Sequence, residues 1–382
     1  MVARSLPAGP LIVGYASWSE CDAKISSAVR SGVNVLIWFA ISLVADPTTG
    51  KPTITGGPNL TCVAETAAAL SAEGLATTHL ISVGGWDAPH PDTQFSAAEW
   101  WTTWSAWNAA AAAPGFDGFD GIDWDLEGND DASSPYNTFS IPCLKLVSEL
   151  SKSAKKAGYL VSLAPPQSYL DVGTSSFSLS VTNPATCWHP EFTYAGRNTY
   201  AALLALAGDE TFDFVSLQMY ESWSVADCNI SGLLQPSDEY LPRLAAAMDT
   251  GWTVSFSDVP SLGLPDQTIR VPLQKLVLGL ANGWAQLAPP ARKSLLLMPA
   301  DVSKAYAAMG KKRVRGFMFW DIMDEGKDVD GVPLDLATGL NGFLQVRPAL
   351  SSSSSPSGLR GNLGVANSSP AALQPALFVR PS

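Results

Sequence analysis

The residues best suited to chemistry are the acids of residues 116–128, FDGFDGIDWDLEG, where five carboxylates lie between Asp117 and Gly128. Apolar residues alternate with acids in part of this stretch, a period of two that is typical of a buried strand. On that period Asp123, Asp125 and Glu127 project to one side, with Glu127 nearest the carboxyl end. Like charges on one buried face resist losing all their protons, so we expect at least one acid to stay protonated near neutral pH. Such a group can donate a proton in catalysis.

A calcium-binding loop is the main alternative for the same acids, because DWDLEGNDD also spaces oxygen ligands two residues apart. The stretch lacks the glycine and the closing glutamate at EF-hand spacing. Its interleaved apolar residues also fit a strand better than an open loop. We therefore favour the catalytic interpretation over a structural or calcium-binding cluster.

The elements that must position these acids recur with the rhythm of β/α units. Helical patterns are predicted near 22–31, 62–74, 96–113, 138–157, 198–208, 236–251 and 300–310. Strand-like runs are predicted at 11–17, 33–41, 78–85, the acidic stretch, 159–167, 212–220, 275–282 and 314–321. Eight strands with intervening helices predict an α/β fold, a (β/α)₈ TIM barrel, whose site lies at the carboxyl ends of the strands. A doubly wound sheet would need fewer strands and a glycine-rich phosphate turn, which the sequence lacks.

The length fits one large folded domain or two, and the composition supports a sizeable folded core. The chain has 382 residues, 46% of them hydrophobic, with 13 Trp and a net charge of −12. This charge argues against binding to nucleic acid or to an anionic membrane, and no apolar run approaches the length of a membrane span. We predict a catalytic barrel over residues 8–346 and a Ser/Pro/Ala-rich disordered tail or linker over 347–382. No signal peptide is visible in MVARSLPAGP.

The five cysteines form neither a dense disulfide framework nor a C-x-x-C metal site. Four of them, Cys21, Cys62, Cys187 and Cys228, fall in predicted strand-to-helix loops, where disulfide bonds could staple the mouth of a barrel. Cys143 lies in a predicted helix and is the candidate for the unpaired thiol. Loop cysteines favour an extracellular location, whereas the missing signal peptide favours the opposite, so the location stays open at this point.

A family resemblance rests on two motifs. DGIDWDLE, from Asp120 to Glu127, matches the D-x-x-D-x-D-x-E signature of the family 18 glycoside hydrolases, the chitinase family, and SVGG, from Ser82 to Gly85, matches the second signature, S-x-G-G. The resemblance covers about residues 11–346. About 30 residues separate the seventh and eighth strands, so this chain resembles the members without an α+β insertion. A shallower, more open groove follows, which favours internal attack on a polymer.

The resemblance implies roles for residues at several strand ends. Tyr220 resembles the tyrosine that holds the acetamido oxygen of the substrate, and Trp320 resembles the tryptophan beneath the sugar of the −1 subsite. One departure is Glu221, since the family usually has Asp or Asn after that tyrosine. The predicted substrate-binding residues are Asp120, Trp320, Gln218, Trp86, Gly84, Gly85, Gln167, Tyr15 and Phe39, and further aromatic subsite candidates are Trp223 and Trp284. The tryptophans of one helix, Trp100, Trp101, Trp104 and Trp107, have helical spacing and are predicted to pack in the core.

The mechanism implied by the family is substrate-assisted, outside the two-carboxylate scheme. Glu127 would protonate the glycosidic oxygen while the 2-acetamido group attacks the anomeric carbon, giving an oxazolinium intermediate and overall retention. Asp125 would bind the acetamido N–H, Asp123 would share a proton with Asp125, and Tyr220 would orient the acetamido oxygen. No cofactor or metal is implied. The expected partner is chitin or another GlcNAc-containing glycan, and the resemblance implies a secreted monomer.

Three functions remain open on this basis. The first is an endo-acting chitinase, and the second is an endo-β-N-acetylglucosaminidase that cuts the chitobiose core of N-glycans with the same acids. The third is a catalytically silent chitin-binding lectin or inhibitor on the same barrel. Such silent proteins usually lose the terminal Glu or the middle Asp, and both are intact here as Glu127 and Asp125.

Overall fold

Eight parallel strands close into a barrel in the computed structural model, which describes residues 4–16, 22–75, 77–86, 88–127, 138–179, 181–182, 193–194, 197–220, 224–287 and 294–345. The strands are β1 (Leu11–Ala16), β2 (Val35–Ala45), β3 (Pro52–Gly56), β4 (Thr78–Gly85), β5 (Gly121–Leu126), β6 (Leu160–Leu163), β7 (Val181–Thr182), β8 (Thr193–Tyr194), β9 (Phe214–Gln218), β10 (Trp252–Val254), β11 (Gln267–Ile269), β12 (Leu276–Ala281), β13 (Gly316–Trp320), β14 (Lys327–Val329) and β15 (Val332–Leu334). The barrel runs β1-β2-β4-β5-β6-β9-β12-β13 and closes by pairing of β13 with β1. The predicted (β/α)₈ barrel is therefore confirmed.

Nine helices are described, of which seven lie at the predicted places, whereas α6 and α9 were not predicted. They are α1 (Ala23–Arg30), α2 (Leu60–Ala72), α3 (Ala97–Ala110), α4 (Ile141–Lys156), α5 (Thr199–Ala207), α6 (Val225–Asp227), α7 (Ser237–Thr250), α8 (Pro299–Ala308) and α9 (Leu336–Leu344). The start of α3 illustrates local control by sequence. Ser96 accepts a hydrogen bond from the Glu99 backbone N–H while the Glu99 carboxylate accepts one from the Ser96 backbone, a reciprocal cap that satisfies the free donors of the first turn.

The alternation of side chains divides each strand between two apolar regions. On β5, Ile122, Trp124 and Leu126 pack in the layer between barrel and helices. The barrel interior has its own apolar cluster, and the β5 residues that project into it are the intervening acids Asp123 and Asp125. A strand buried on both faces normally carries apolar residues on both. The strand β5 departs from this pattern, because acids occupy its interior face.

The helix α3 shows why many tryptophans are structural. Trp100 and Trp104 are fully buried, and Trp101 and Trp107 pack against the same core. Trp107 stacks on Phe119 with ring centroids 5.6 Å apart. The prediction that these four tryptophans belong to the core is confirmed.

The sequence did not predict the short antiparallel pairings. In these, β3 pairs with the end of β2, β10 with β11, and β14 with β15. Residues 282–315 connect β12 to β13 and carry α8, which leaves no room for an α+β insertion domain. Of the described cysteines, Cys143 is a buried free thiol, as predicted, whereas Cys62 and Cys228 are disulfide-bonded. Cys21, Cys187 and the predicted tail beyond residue 346 lie outside the described residues. In the described part of the chain, no helix combines the length and apolar character that crossing a membrane requires.

Candidate active site

The acids gather at the carboxyl end of β5, inside the mouth of the barrel. Asp123 and Asp125 are buried, at 0% and 3% exposure, and both project from the interior face of the strand. Glu127 follows the last residue of β5 directly and is half-buried. The sequence alternation therefore predicted the arrangement of this strand correctly.

Hydroxyl groups from three other strands, β1, β4 and β6, hold Asp123. The Tyr15 hydroxyl donates to Oδ2 at 2.8 Å, Ser82 donates to the same oxygen at 3.1 Å, and Ser162 donates to Oδ1 at 2.5 Å. Burial raises the pKa of Asp123, and these three hydrogen bonds counter that rise because they favour the charged form. Asp123 is thus a fixed acceptor deep in the barrel.

One amide contacts both Asp125 and Glu127. Gln218 Nε2 donates to Asp125 Oδ1 at 2.7 Å and reaches Glu127 Oε1 at 3.4 Å, and it also donates to the Ala164 carbonyl at 2.7 Å. The side chains of Glu127 and Asp125 are hydrogen-bonded to each other. Because two ionised carboxylates cannot donate to one another, the pair holds a proton.

That proton is retained near neutral pH. Burial raises the pKa of Glu127 to about 7, against the lowering effect of its hydrogen bonds with Asp125 and Gln218. Asp123 accepts hydrogen bonds from hydroxyls of its surroundings. The expectation that it shares a proton with Asp125 stays a prediction.

Aromatic rings surround the mouth on the side of β1, β2 and β13. Trp320 lies 4.6 Å from Phe39 in an edge-to-face contact and 5.4 Å from Tyr15, centroid to centroid. Trp320 is half-buried, so part of its ring faces the mouth. Flat apolar rings of this kind can contact the C–H faces of sugars.

Tyr220 and Trp284 extend this aromatic wall. Their rings meet edge-to-face at 5.9 Å, and the Trp284 indole N–H donates to the Trp320 carbonyl at 2.7 Å. Tyr220 is buried at 8% exposure, two residues after the end of β9. The strand ends of β9, β12 and β13 thus form one side of the site.

The two glycines at the end of β4 keep the mouth open for these groups. A Cβ atom on Gly85 would lie 2.0 Å from Phe39 Cζ, and one on Gly84 would lie 2.5 Å from the Asp125 carbonyl oxygen. Both residues also have φ near +100°, at +105° and +98° in chain order, which side chains rarely tolerate. Trp86, the next residue, is 51% exposed and is available to solvent at the rim.

Asp120 lies at the other end of β5 and corrects the expectation that it contacts substrate. Its carboxylate accepts from the His79 backbone N–H at 2.9 Å and pairs with Arg4 at 3.6 Å. Six residues of extended chain lie between it and Glu127, a span of roughly 20 Å. Asp120 therefore stabilises the amino end of the barrel, where Arg4 also stacks on the Tyr159 ring.

Gln167 is buried and bridges helices α6 and α7. Its Nε2 donates to the Tyr240 hydroxyl at 2.8 Å, and its Oε1 accepts from the Ala226 backbone at 2.7 Å. These contacts occupy both ends of its amide, so a role in substrate binding stays a prediction. Glu221 and Trp223 lie outside the described residues.

Sequence reasoning missed several residues around the acids. Ser162 could have been found from alternation, because it occupies an interior position of β6. Tyr200 and His90 carry no such signal, yet the Tyr200 hydroxyl bonds the backbone of β5 and His90 bonds the Glu127 backbone. In the described residues, no three His, Cys, Asp or Glu side chains are grouped so as to hold a metal ion.

Comparison of the structure with solved proteins finds chitinases. A GH18 chitinase from Pseudoalteromonas aurantia is similar over 88% of this chain and 100% of its own, with 14% sequence identity and a TM-score of 0.51. Catalytic domain 2 of the Ostrinia furnacalis Group II chitinase, solved as a mutant with penta-N-acetylchitooctaose, (NAG)5, is similar over 89% of this chain and 98% of its own, with 13% identity and a TM-score of 0.51. No protein-family model and no curated protein matches the sequence.

At these identities the similarity establishes the fold, and the site must be judged from this chain's own residues. The acidic motif lies on the strand and at the strand end where a barrel enzyme places its catalytic groups. The resemblance to the family 18 glycoside hydrolases is thereby confirmed at the level of the fold: this chain carries the family's acidic signature on the (β/α)₈ barrel of GH18 chitinases.

Proposed function

We propose that this protein is an endo-acting chitinase that hydrolyses β-1,4-linked N-acetylglucosamine polymers or oligomers with retention. The observation that carries the proposal is the hydrogen-bonded pair of Asp125 and Glu127 at the mouth of the barrel, with the pKa of Glu127 at about 7. A protonated carboxylic acid near neutral pH is what protonation of a glycosidic oxygen requires.

In the proposed first step, Glu127 protonates the glycosidic oxygen. The carbonyl oxygen of the 2-acetamido group attacks the anomeric carbon, and the leaving sugar departs with the proton. Asp125 accepts a hydrogen bond from the acetamido N–H and stabilises the positive charge of the oxazolinium ion. Tyr220 orients the acetamido oxygen, and Trp320 supports the sugar ring.

In the second step, ionised Glu127 removes a proton from water, which attacks the anomeric carbon and opens the oxazolinium ring. The β configuration of the bond that was cleaved is thereby restored. Gln218 supports both steps, since its amide hydrogen-bonds to both acids and stabilises their shared negative charge. The mechanism uses neither metal nor cofactor.

The endo mode rests on the short connection between β12 and β13. A connection of this length has no room for an insertion domain, and a mouth without such a domain would let a polymer lie across it. A secreted protein is proposed on separate grounds: Cys62 and Cys228 are disulfide-bonded, and such bonds persist mainly in oxidising compartments.

The test is hydrolysis of a fluorogenic chitotrioside by the purified protein beside a Glu127→Gln variant. Loss of general-acid catalysis typically costs roughly 10²- to 10⁴-fold, so the variant should hydrolyse this substrate at least that much more slowly. The glutamine keeps the size of the side chain, and binding of chito-oligomers by the variant is the control for an intact site.

Other outcomes assign the chain elsewhere. Binding of chito-oligomers by both proteins with hydrolysis by neither would make the barrel a lectin. Cleavage confined to a high-mannose glycopeptide would make it an endo-β-N-acetylglucosaminidase.

A further inference from the structure

The end of β5 lacks the strand partner that its hydrogen-bonding pattern calls for. In a parallel pair of strands, the N–H and the carbonyl of one residue both bond to the same neighbouring strand, through the two residues that flank its partner. Trp124 follows this rule, pairs with Leu163 of β6 and accepts a hydrogen bond from the Ala164 N–H at 2.8 Å. Two residues further on, Leu126 would need the Ala164 carbonyl as acceptor and the N–H of residue 166 as donor.

Neither of these groups serves Leu126, whose N–H bonds to a side chain instead. Residue 166 is a proline, which has no N–H, and β6 ends at Leu163. The Ala164 carbonyl accepts from Gln218 at 2.7 Å. A fully buried residue with both backbone groups unsatisfied would be costly, by roughly 1–3 kcal/mol for each group.

The Tyr200 hydroxyl occupies the position of the missing partner. It accepts from the Leu126 N–H at 2.6 Å, and it lies 3.0 Å from the Leu126 carbonyl and 3.3 Å from the Trp124 carbonyl, to which it can donate. Tyr200 is fully buried. Burial raises the pKa of Tyr200 well above its ordinary value, so the hydroxyl keeps its proton.

The position of Tyr200 is fixed from both sides. It is the second residue of α5, after Asn198, whose buried side chain accepts from the Asp171 N–H at 3.0 Å and donates to the carbonyls of Thr174 and Ser176. On the other side its ring contacts Phe139 and Tyr169, at 6.4 Å and 6.5 Å between centroids.

A second side chain, that of His90, contacts Glu127, the residue after Leu126. The His90 ring lies 4.4 Å from the Phe139 ring between centroids, tilted by 34°, and His90 hydrogen-bonds to the Glu127 backbone. Tyr200 and His90, from separate parts of the chain, therefore hold consecutive residues at the end of β5. Glu127 is the second of these residues, and Asp125 precedes the first.

We propose that Tyr200 is a positioning residue for the Asp125–Glu127 pair: its hydroxyl completes the hydrogen bonding of β5 at Leu126 and fixes the peptide that joins the two acids. The catalytic consequence rests on the proposed function. The structural part, the hydrogen bond to the Leu126 N–H, can be measured without any substrate.

The test uses Tyr200→Phe, which keeps the ring and removes the hydroxyl, beside Ser151→Ala as the matched control. Ser151 accepts from the Trp124 indole at 2.9 Å, so its loss removes a buried hydrogen bond to the helix-facing side of the same strand. Displacement of a reacting group by about 1 Å can cost about 10²-fold in rate, so Tyr200→Phe should lower kcat by about 10- to 100-fold and change KM less than about twofold. Ser151→Ala should keep both values.

The pH profile separates positioning from general destabilisation. A less tightly held Glu127 gains water, so its pKa should fall towards the ordinary value and the alkaline limb of kcat should move to lower pH. Loss of folded protein alone would lower the rate without moving that limb. A wild-type kcat and pH profile in Tyr200→Phe, or an equal loss in Ser151→Ala, would overturn the proposal.

Amide hydrogen exchange at Leu126 gives the readout that does not depend on activity. The wild-type amide should exchange slowly, and exchange in Tyr200→Phe should accelerate at Leu126 while the other β5 amides keep their protection. Unchanged protection at Leu126 would refute the structural part. If the wild-type protein hydrolyses no glycan, the proposed function fails, and the exchange measurement still decides whether Tyr200 completes the strand.

Discussion

Replacing Gln218 with methionine should move the pH dependence of catalysis to higher pH. The substitution keeps the length of the side chain and removes the amide that donates to Asp125 at 2.7 Å and reaches Glu127 at 3.4 Å. Both hydrogen bonds favour the ionised acids. Without them the pair holds its proton more tightly, so the pKa of Glu127 should rise above about 7.

The size of this shift follows from the geometry. A hydrogen bond to a charged group contributes about 1.5–3 kcal/mol, and one pKa unit corresponds to about 1.4 kcal/mol. The short bond is to Asp125, and Glu127 feels its loss through the shared proton, so we expect a shift of about one unit in the apparent pKa of the pair. The Ala164 carbonyl also loses its donor, which should lower the free energy of unfolding by roughly 1–3 kcal/mol.

The assay is kcat/KM for a fluorogenic chitotrioside as a function of pH, since this profile reports groups of the free enzyme. Ser216→Ala is the matched control, because Ser216 is buried on the same strand and its hydroxyl has no hydrogen-bond partner among the described residues. The alkaline limb of the profile should move to higher pH in Gln218→Met and stay in place in Ser216→Ala. A limb that stays in place or moves to lower pH in Gln218→Met would refute the role assigned to the amide.

Two further predictions concern stability. Burial and the neighbouring Asp335 raise the pKa of Glu325 to about 9, so the wild-type protein should lose stability as pH rises from the ordinary glutamate value of 4.5 towards about 9. The variant Glu325→Gln mimics the protonated acid and should lose less stability over the same range. Urea unfolding at acid and alkaline pH tests this, and an equal change in the free energy of unfolding for the two proteins would contradict it. Gly85→Ala should destabilise the protein by roughly 3 kcal/mol or more because its Cβ would clash with Phe39. The control is Gly208→Ala, which is also at positive φ but has open space around it and should cost only about 1–2 kcal/mol of backbone strain. Equal melting temperatures for the two variants would show that Phe39 does not restrict position 85.

Local pattern was sufficient to predict the barrel and the acidic strand. Alternation placed Asp123 and Asp125 on the interior face of β5, and eight apolar runs separated by helical patterns predicted eight parallel strands. The short hairpins were missed because strands of three to five residues carry little periodicity. The strand boundaries also shifted: the predicted acidic strand began at residue 116, whereas β5 begins at Gly121.

The contacts between strands could not be predicted in the same way. Which acid accepts hydrogen bonds from hydroxyls depends on where the side chains of β1, β4 and β6 converge, and they converge on Asp123. Tyr200 reaches β5 from more than 70 residues along the chain, and a tyrosine in a helix gives no sign of such a contact. Asp120 is different, because the length of an extended chain already placed it far from Glu127, and motif membership alone suggested a substrate contact.

The measurement that tests the central claim most directly is a time-resolved proton NMR spectrum of N-acetylchitohexaose hydrolysis, with wild-type protein and Glu127→Gln in parallel. The account predicts that the wild-type protein first releases the β-anomer at the new reducing ends, because the acetamido group attacks before water does, and that Glu127→Gln releases no product over the same interval. Initial release of the α-anomer, or hydrolysis by Glu127→Gln at the wild-type rate, would contradict it.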